Sequence, residues 1–265
     1  MRETTSRLFR LPGDVRACLS FFSRLPIRTE HDRPFDLGTS IGAWPLAGVI
    51  LAIVPALLLL LLRSAHMVPT IAAALTLAAT AGLGGGLHED GLSDCADGFG
   101  GGRTRGRKLE IMRDSRIGSY GALALFFTGL IRVAGLASLS LVFWEGAVAL
   151  LCVAAISRAA AIWHWRALPP ARDDGLAVAA GVPDRASVVI ATGFGIVAAI
   201  PLLAIFGLSA ILGLALLAAG VAGFTSLCRH QIAGHSGDTI GASQQIAEAL
   251  LFAGLATFWP ALFGG

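Results

Sequence analysis

Apolar residues run along this chain in seven stretches, at about 39–62, 68–87, 119–140, 143–163, 187–206, 208–227 and 246–263. Each is long enough to cross roughly 30 Å of hydrocarbon as a helix. The pattern predicts an all-α, polytopic integral membrane bundle that forms a single domain over 1–265. The second stretch contains Thr70, Thr76 and Thr80 and finishes in glycines, so it is among the weakest by hydropathy. The fifth is continuous with the sixth through a turn around Gly207 to Ser209. Composition agrees with a membrane protein. The chain is 55% hydrophobic and 14% charged, with a mean hydropathy of +0.74, whereas a soluble domain is roughly a quarter charged.

Charge order supplies the orientation. Seven of the 20 basic residues lie in the N-terminal segment, at Arg2, Arg7, Arg10, Arg16, Arg24, Arg28 and Arg33. Six more, Arg103, Arg105, Arg107, Lys108, Arg113 and Arg116, follow the second stretch, and Arg166, Arg172, Arg185 and Arg229 continue on the same side of a seven-span topology. Arg63 stands alone on the other side. The positive-inside rule then places the N-terminus and these loops in the cytoplasm and the C-terminus outside. Residues 1–37 read as a basic amphipathic segment along the cytoplasmic interface, with no cleavable signal. The net charge of +3 is explained by orientation and anionic lipid, so no nucleic-acid polymer is expected as a partner. The four cysteines are scattered without a CxxC pair, which disfavours both disulfides and a thiolate zinc site.

Chemistry concentrates in residues 82–121, GLGGGLHEDGLSDCADGFGGGRTRGRKLEIMRDSRIGSYG, where Glu89, Asp90, Asp94, Asp97, Glu110 and Asp114 supply six of the 17 carboxylates. On a helix, Asp90, Asp94 and Asp97 fall at i, i+4 and i+7 on one face, and Glu110 and Asp114 form another i, i+4 pair. Like charges at this spacing destabilise a helix unless a cation lies between them. Carboxylate oxygens suit Mg²⁺, with Mn²⁺ as a substitute, better than Zn²⁺. We therefore take Glu89, Asp90, Asp94, Asp97 and Glu110 as candidate metal ligands. His88 is turned from that face, toward a hydrogen-bonding or interfacial role, with direct ligation as the alternative. An ordinary charged interfacial loop would not require helical spacing. EF-hand spacing, a Walker loop and a strand-to-helix GxGxxG are all missing.

Alternating acidic and basic groups suits a phosphate or diphosphate substrate. Lys108 and Arg116 flank the Glu110 and Asp114 pair and are the stronger candidates for neutralising phosphate, while Arg103, Arg105 and Arg107 also serve topology. A second polar stretch, RHQIAGHSGDTIGASQQIAEAL at 229–250, returns to the same side. Its Asp238 is a ligand, a nucleoside contact or a helix cap, and its helix is expected to start around Gly241 to Ser243. Glu248, Arg132 and Arg158 lie within spans, where an ionised group marks a functional site or a buried pair. Arg158 and Glu248 are assigned with Asp238 to substrate binding, whereas Arg132 either pairs structurally or lines a cavity.

FSRLP at 22–26, WPLAG at 44–48, HEDGLSDCADGFGG at 88–101, LEIMRDSRIGSYG at 109–121, SR at 157–158 and GHSGDTIGA at 234–242 together resemble the cobalamin synthase (adenosylcobinamide-GDP ribazoletransferase) family over nearly the whole chain. The resemblance implies that adenosylcobinamide-GDP and α-ribazole, or its 5′-phosphate, give adenosylcobalamin, or its 5′-phosphate, and GMP with Mg²⁺. It also implies a multi-pass protein of the bacterial inner membrane whose site faces the cytoplasm, near other membrane-associated cobalamin assembly enzymes. A weaker similarity links DCADG at 94–98 to the DxxDG opening of the CDP-alcohol phosphotransferases, but FGGGR follows where that family has xxAR.

Both resemblances imply attack by the ribazole 3′-hydroxyl on the phosphorus of the cobinamide side. Lys108 and Arg116 would neutralise charge there, and Asp114 would act as general base unless a metal-bound alkoxide makes a base unnecessary. The competing class is a secondary transporter, which would spread polar pairs through the full membrane depth.

Overall fold

The computed structural model describes residues 10–27 and 37–259. Among these, the chain is an all-α polytopic bundle of membrane type. Helix α1 (Leu11–Phe22) precedes α2 (Leu37–Ser40), a 3₁₀ turn and α3 (Trp44–Ser64). Then come α4 (Pro69–Gly84), α5 (Leu87–Gly101), the short α6 (Arg105–Ile111), α7 (Ser119–Leu139) and α8 (Glu145–Arg166). The chain continues with α9 (Leu176–Ala179), α10 (Arg185–Phe206), α11 (Leu208–Ile232) and α12 (Gly237–Leu255).

Five helical segments, Leu37–Ser64, α7, α8, α10 and α11, are long and apolar enough to cross a membrane. The α4–α5 pair, bent by 91°, makes a sixth if it counts as one broken span. Large apolar side chains such as Val54, Leu57, Phe126, Ile196, Val197 and Ile211 point outward along these helices, as contact with lipid tails requires. The expected stretch at 68–87 divides because Gly85 and Gly86 both adopt positive φ, 66° and 70°, a conformation that L side chains resist. Gly207, at φ 51°, separates α10 from α11 in the same way.

The expected seventh stretch, 246–263, overlaps the second half of α12, and its last residues, 260–263, lie outside the described part. Helix α12 starts earlier than its hydropathy suggests. Ser236 and Thr239 form a capping box, in which each side chain accepts from the other's backbone N–H. Its middle carries Ser243, Gln244, Gln245 and Glu248, all buried. This polar helix is the one packed at the centre, against α5, α7, α8 and α11. The reason is the solvent: in lipid, polar side chains are stable only where other helices supply their partners.

One end of the bundle gathers the basic segments. Helix α1 lays Leu11, Val15, Cys18, Leu19 and Phe22 against α2, α3 and the end of α8, an amphipathic face at helical spacing. Arg105 Nη2 donates to Ala171 O at 2.9 Å, Lys108 Nζ donates to Gln231 Oε1, and Arg113 pairs with Asp174. The three loops that follow α5, α8 and α11 therefore meet, whereas Arg63 donates from Nε to Ser140 O, 3.1 Å away, at the other end.

Candidate active site

The bend at Gly85–Gly86 turns α5 across the end of the bundle. There, a Cβ at Gly91 would lie 2.6 Å from the backbone oxygen of Asp238, so the two backbones touch. This close approach joins the two polar stretches and sets Asp90 and Asp94 beside Asp238. Asp90 is exposed and Asp94 half-buried. Asp94 faces the charges of Asp90, Asp238 and Asp97, with Arg172 as the opposing cation. Neither Asp90 nor Asp94 has a hydrogen-bond or ion-pair partner among the described residues.

The other expected ligands are committed elsewhere. Asp97 accepts from the backbone N–H of Gly118 at 2.7 Å and of Gly121 at 2.9 Å, so it caps the N-terminus of α7. Glu89 turns inward, pairing with Arg132 at 3.3 Å and accepting from Gln245 at 3.1 Å. Glu110 is exposed and pairs with Arg107 at 2.8 Å. Asp114 accepts from Arg116 Nη2 at 2.6 Å and from the Arg116 backbone N–H at 3.2 Å. These bonds hold its carboxyl at about 2. Glu110 and Asp114 thus form a separate exposed group.

Lys108 is half-buried and its bond is to a neutral amide, which leaves its charge uncompensated. Arg105 is exposed and bonds a carbonyl, again without an ion pair among the described residues. Arg172, noted from the sequence only for orientation, joins α6 to α12 by donating to Leu109 O at 3.2 Å and to Asp238 Oδ2 at 3.4 Å. Burial pushes Asp238 above the ordinary carboxylate value, against the pull of Arg172 and the Ser236 hydroxyl.

Deeper in the bundle, Glu248 meets Arg132 at 2.7 Å and Arg158 at 3.8 Å, and accepts from Gln244 Nε2 at 2.7 Å. Arg132 Nη1 also donates to Gln245 Oε1 at 2.6 Å. Glu89, Arg132, Glu248 and Arg158 form a buried network with no net charge that ties α5, α7, α8 and α12 together. The geometry brings Glu248 and Arg158 to each other rather than to the three aspartates. A Cβ at Gly48 would fall 2.5 Å from Arg158 Cδ, so the WPLAG glycine is the space the guanidinium stem occupies.

Beside Asp90 and Asp238 opens a cavity of ≈ 240 Å³. Phe22, Trp44 and His88 form one aromatic group in its wall, with Phe22 and Trp44 stacked at 4.5 Å. Trp165 and His235 form another, with centroids 6.1 Å apart. Burial lowers His235 to about 4, so its ring is uncharged at neutral pH. Sequence reasoning missed Trp44, Trp165, His235 and Arg172 as site residues; the position of His235 inside GHSGD was the available signal.

Among the described residues, no three His, Cys, Asp or Glu side chains converge as a ready ligand set. The donor chemistry still fits a hard cation. Asp90 and Asp94 present oxygens that no group among the described residues uses, and four carboxylates there face one guanidinium.

A family model described as CobS, cobalamin-5-phosphate synthase, matches residues 14–256. The chain is similar to the adenosylcobinamide-GDP ribazoletransferase of Sinorhizobium medicae, 45% identical over 250 residues that cover 92% of this chain and 95% of the relative. It is also similar to the proteins of the same description from Rhizobium meliloti, 42% identical over 92% of this chain and 95% of the relative, and Rhizobium etli, 45% identical over 92% and 96%. No solved structure matches at comparable significance.

Proposed function

The chain belongs to the cobalamin-5-phosphate synthase family, and on that premise we propose how its own residues carry out the transfer. It is a transferase of cobalamin biosynthesis: adenosylcobinamide-GDP and α-ribazole, or its 5′-phosphate, give adenosylcobalamin, or its 5′-phosphate, and GMP. The observation that carries this reading is the match over 92% of the chain.

The reaction joins the ribazole 3′-oxygen to the phosphorus on the cobinamide side and breaks the bond to GMP. Lys108 and Arg105, two cations of the polar end without an ion pair among the described residues, neutralise the diphosphate, and Arg172 holds Asp238 in place against α6. Asp90, Asp94 and Asp238 are the residues that would hold Mg²⁺, or Mn²⁺ in its place. When bound, the cation supplies charge stabilisation to the phosphoryl oxygens. The proton of the attacking hydroxyl passes to a carboxylate oxygen of this group. Asp114, held at about 2, is a weak base at neutral pH and serves instead to anchor Arg116. Asp97, Glu89, Arg158 and Glu248 position the helices that carry the site.

The basic end faces the cytoplasm of a bacterial inner membrane on this reading. Support comes from the gathering of basic residues in the N-terminal segment and the three converging loops. Seven crossings within one transferase domain follow if α12 spans the bilayer and the α4–α5 pair counts as one broken span. Substrates then reach the site from the cytoplasmic side, near other membrane-associated assembly enzymes. A transporter finds no support in the matched family or relatives, which are described as synthase and transferase.

The test is Mg²⁺-dependent GMP release from adenosylcobinamide-GDP by the purified chain in lipid, with and without α-ribazole, alongside Asp94→Asn. Ribazole-dependent release with a cobalamin product, lost in Asp94→Asn, is expected. Folded wild-type protein that fails to turn over with either acceptor and either metal would refute the reading.

A further inference from the structure

The cavity beside the aspartates is lined by residues that carry polar atoms without partners among the described residues. Trp44 Nε1, His88 Nε2, Trp165 Nε1, both ring nitrogens of His235 and Arg172 Nε are all shielded from solvent, yet none makes a hydrogen bond. Buried polar groups in native proteins are almost always partnered, and a cluster of exceptions calls for a ligand or trapped water. All five residues line this one space, and their side chains are mostly rings. Indole N–H and guanidinium N–H groups only donate, and a neutral imidazole offers one donor and one acceptor. A complement to these lining groups is planar, apolar on its faces and carries a hydrogen-bond acceptor at its edge.

We infer that this cavity receives a nitrogen-heterocyclic base, the nucleoside-base portion of one of the two substrates, with Trp44, Trp165 and His235 setting its position. The inference rests on the transferase reading. At ≈ 240 Å³ the space is below the roughly 300–1,000 Å³ of pockets that hold whole drug-sized ligands, so it suits a bicyclic base and excludes a corrin macrocycle. Asp90 and Asp238 lie at its edge, which places the sugar and phosphate attached to such a base beside the carboxylates. Helix α1 closes one side through Phe22, giving the N-terminal segment a part in substrate binding.

Guanine and the benzimidazole of the ribazole share this chemistry, so the experiment uses both. GMP and α-ribazole are titrated separately by calorimetry into the full chain in lipid nanodiscs, as wild type, Trp165→Phe and Ala177→Trp. Trp165→Phe keeps a smaller aromatic ring and removes the N–H. Ala177→Trp fills the cavity from a half-buried wall and does not depend on a core substitution folding.

For at least one ligand, Kd should rise about tenfold in Trp165→Phe, as for one lost hydrogen bond, and binding should vanish in Ala177→Trp. KM for the corresponding substrate should rise with it, and the ligand that responds identifies the base. Wild-type affinity for both ligands in a folded Ala177→Trp, with wild-type protein turning over normally, would overturn the inference. Absence of ribazole-dependent GMP release by the wild type would instead overturn the transferase reading, and this inference with it.

Discussion

Replacing Glu248 by leucine removes the anion that both Arg132 and Arg158 approach, at 2.7 and 3.8 Å. All three side chains are only 6–7% exposed, and Glu89, the remaining carboxylate, reaches only Arg132, at 3.3 Å. Arg158 would keep one backbone acceptor, Ala154 O at 2.8 Å, and no carboxylate within ion-pair distance among the described residues. Breaking a buried pair from one side costs about 3–5 kcal/mol. For a chain of this size that is a drop of roughly 6–20 °C in unfolding midpoint. Adding Arg158→Met removes the stranded cation and leaves Glu89 with Arg132 as a neutral pair, so most of the loss should return. Thermal unfolding in lipid nanodiscs reads both effects. A shift below about 2 °C in Glu248→Leu, where about 3 kcal/mol is expected, or a double variant less stable than the single, would refute the reasoning. A double variant with the wild-type midpoint but no turnover would show that the pair touches substrate.

Gly91→Ala should force α5 from α12, because the added methyl would meet the Asp238 backbone at 2.6 Å. We expect a loss of about 1–3 kcal/mol, read as a lower midpoint, together with weakened GMP release. Asp97→Ala leaves the Gly118 and Gly121 N–H groups without their acceptor and should cost about 1–2 kcal/mol. Unchanged stability in that variant would remove the capping role. Asp114 is depressed from about 4 to about 2. The contribution of its pair with Arg116 is therefore complete above the higher value and lost only as pH falls through the lower one. Any acid limb of turnover above pH ~4 belongs to another group, and Asp114→Asn should leave that limb in place. Loss of the limb in Asp114→Asn would restore Asp114 as the base.

Hydropathy alone located α3, α7, α8, α10 and α11 to within a few residues at most boundaries, because a lipid-facing helix must be apolar over a full crossing whatever its neighbours are. The distribution of arginines likewise marked the end of the bundle where the loops meet. The helical spacing of Asp90, Asp94 and Asp97 was legible for the same local reason, since 3.6 residues per turn places them on one face. What each carboxylate does was not legible. Asp97 is bound by an N-terminus 21 residues away and Glu89 by a glutamine 156 residues away, and no local pattern encodes either partner. The buried course of α12 was hidden too, because its glutamines and Glu248 look unsuited to a membrane until α5, α7 and α8 supply their partners. The aromatic cavity draws Phe22, Trp44, Trp165 and His235 from four separate segments. Its existence depends on how those segments pack against one another, which tertiary structure alone decides.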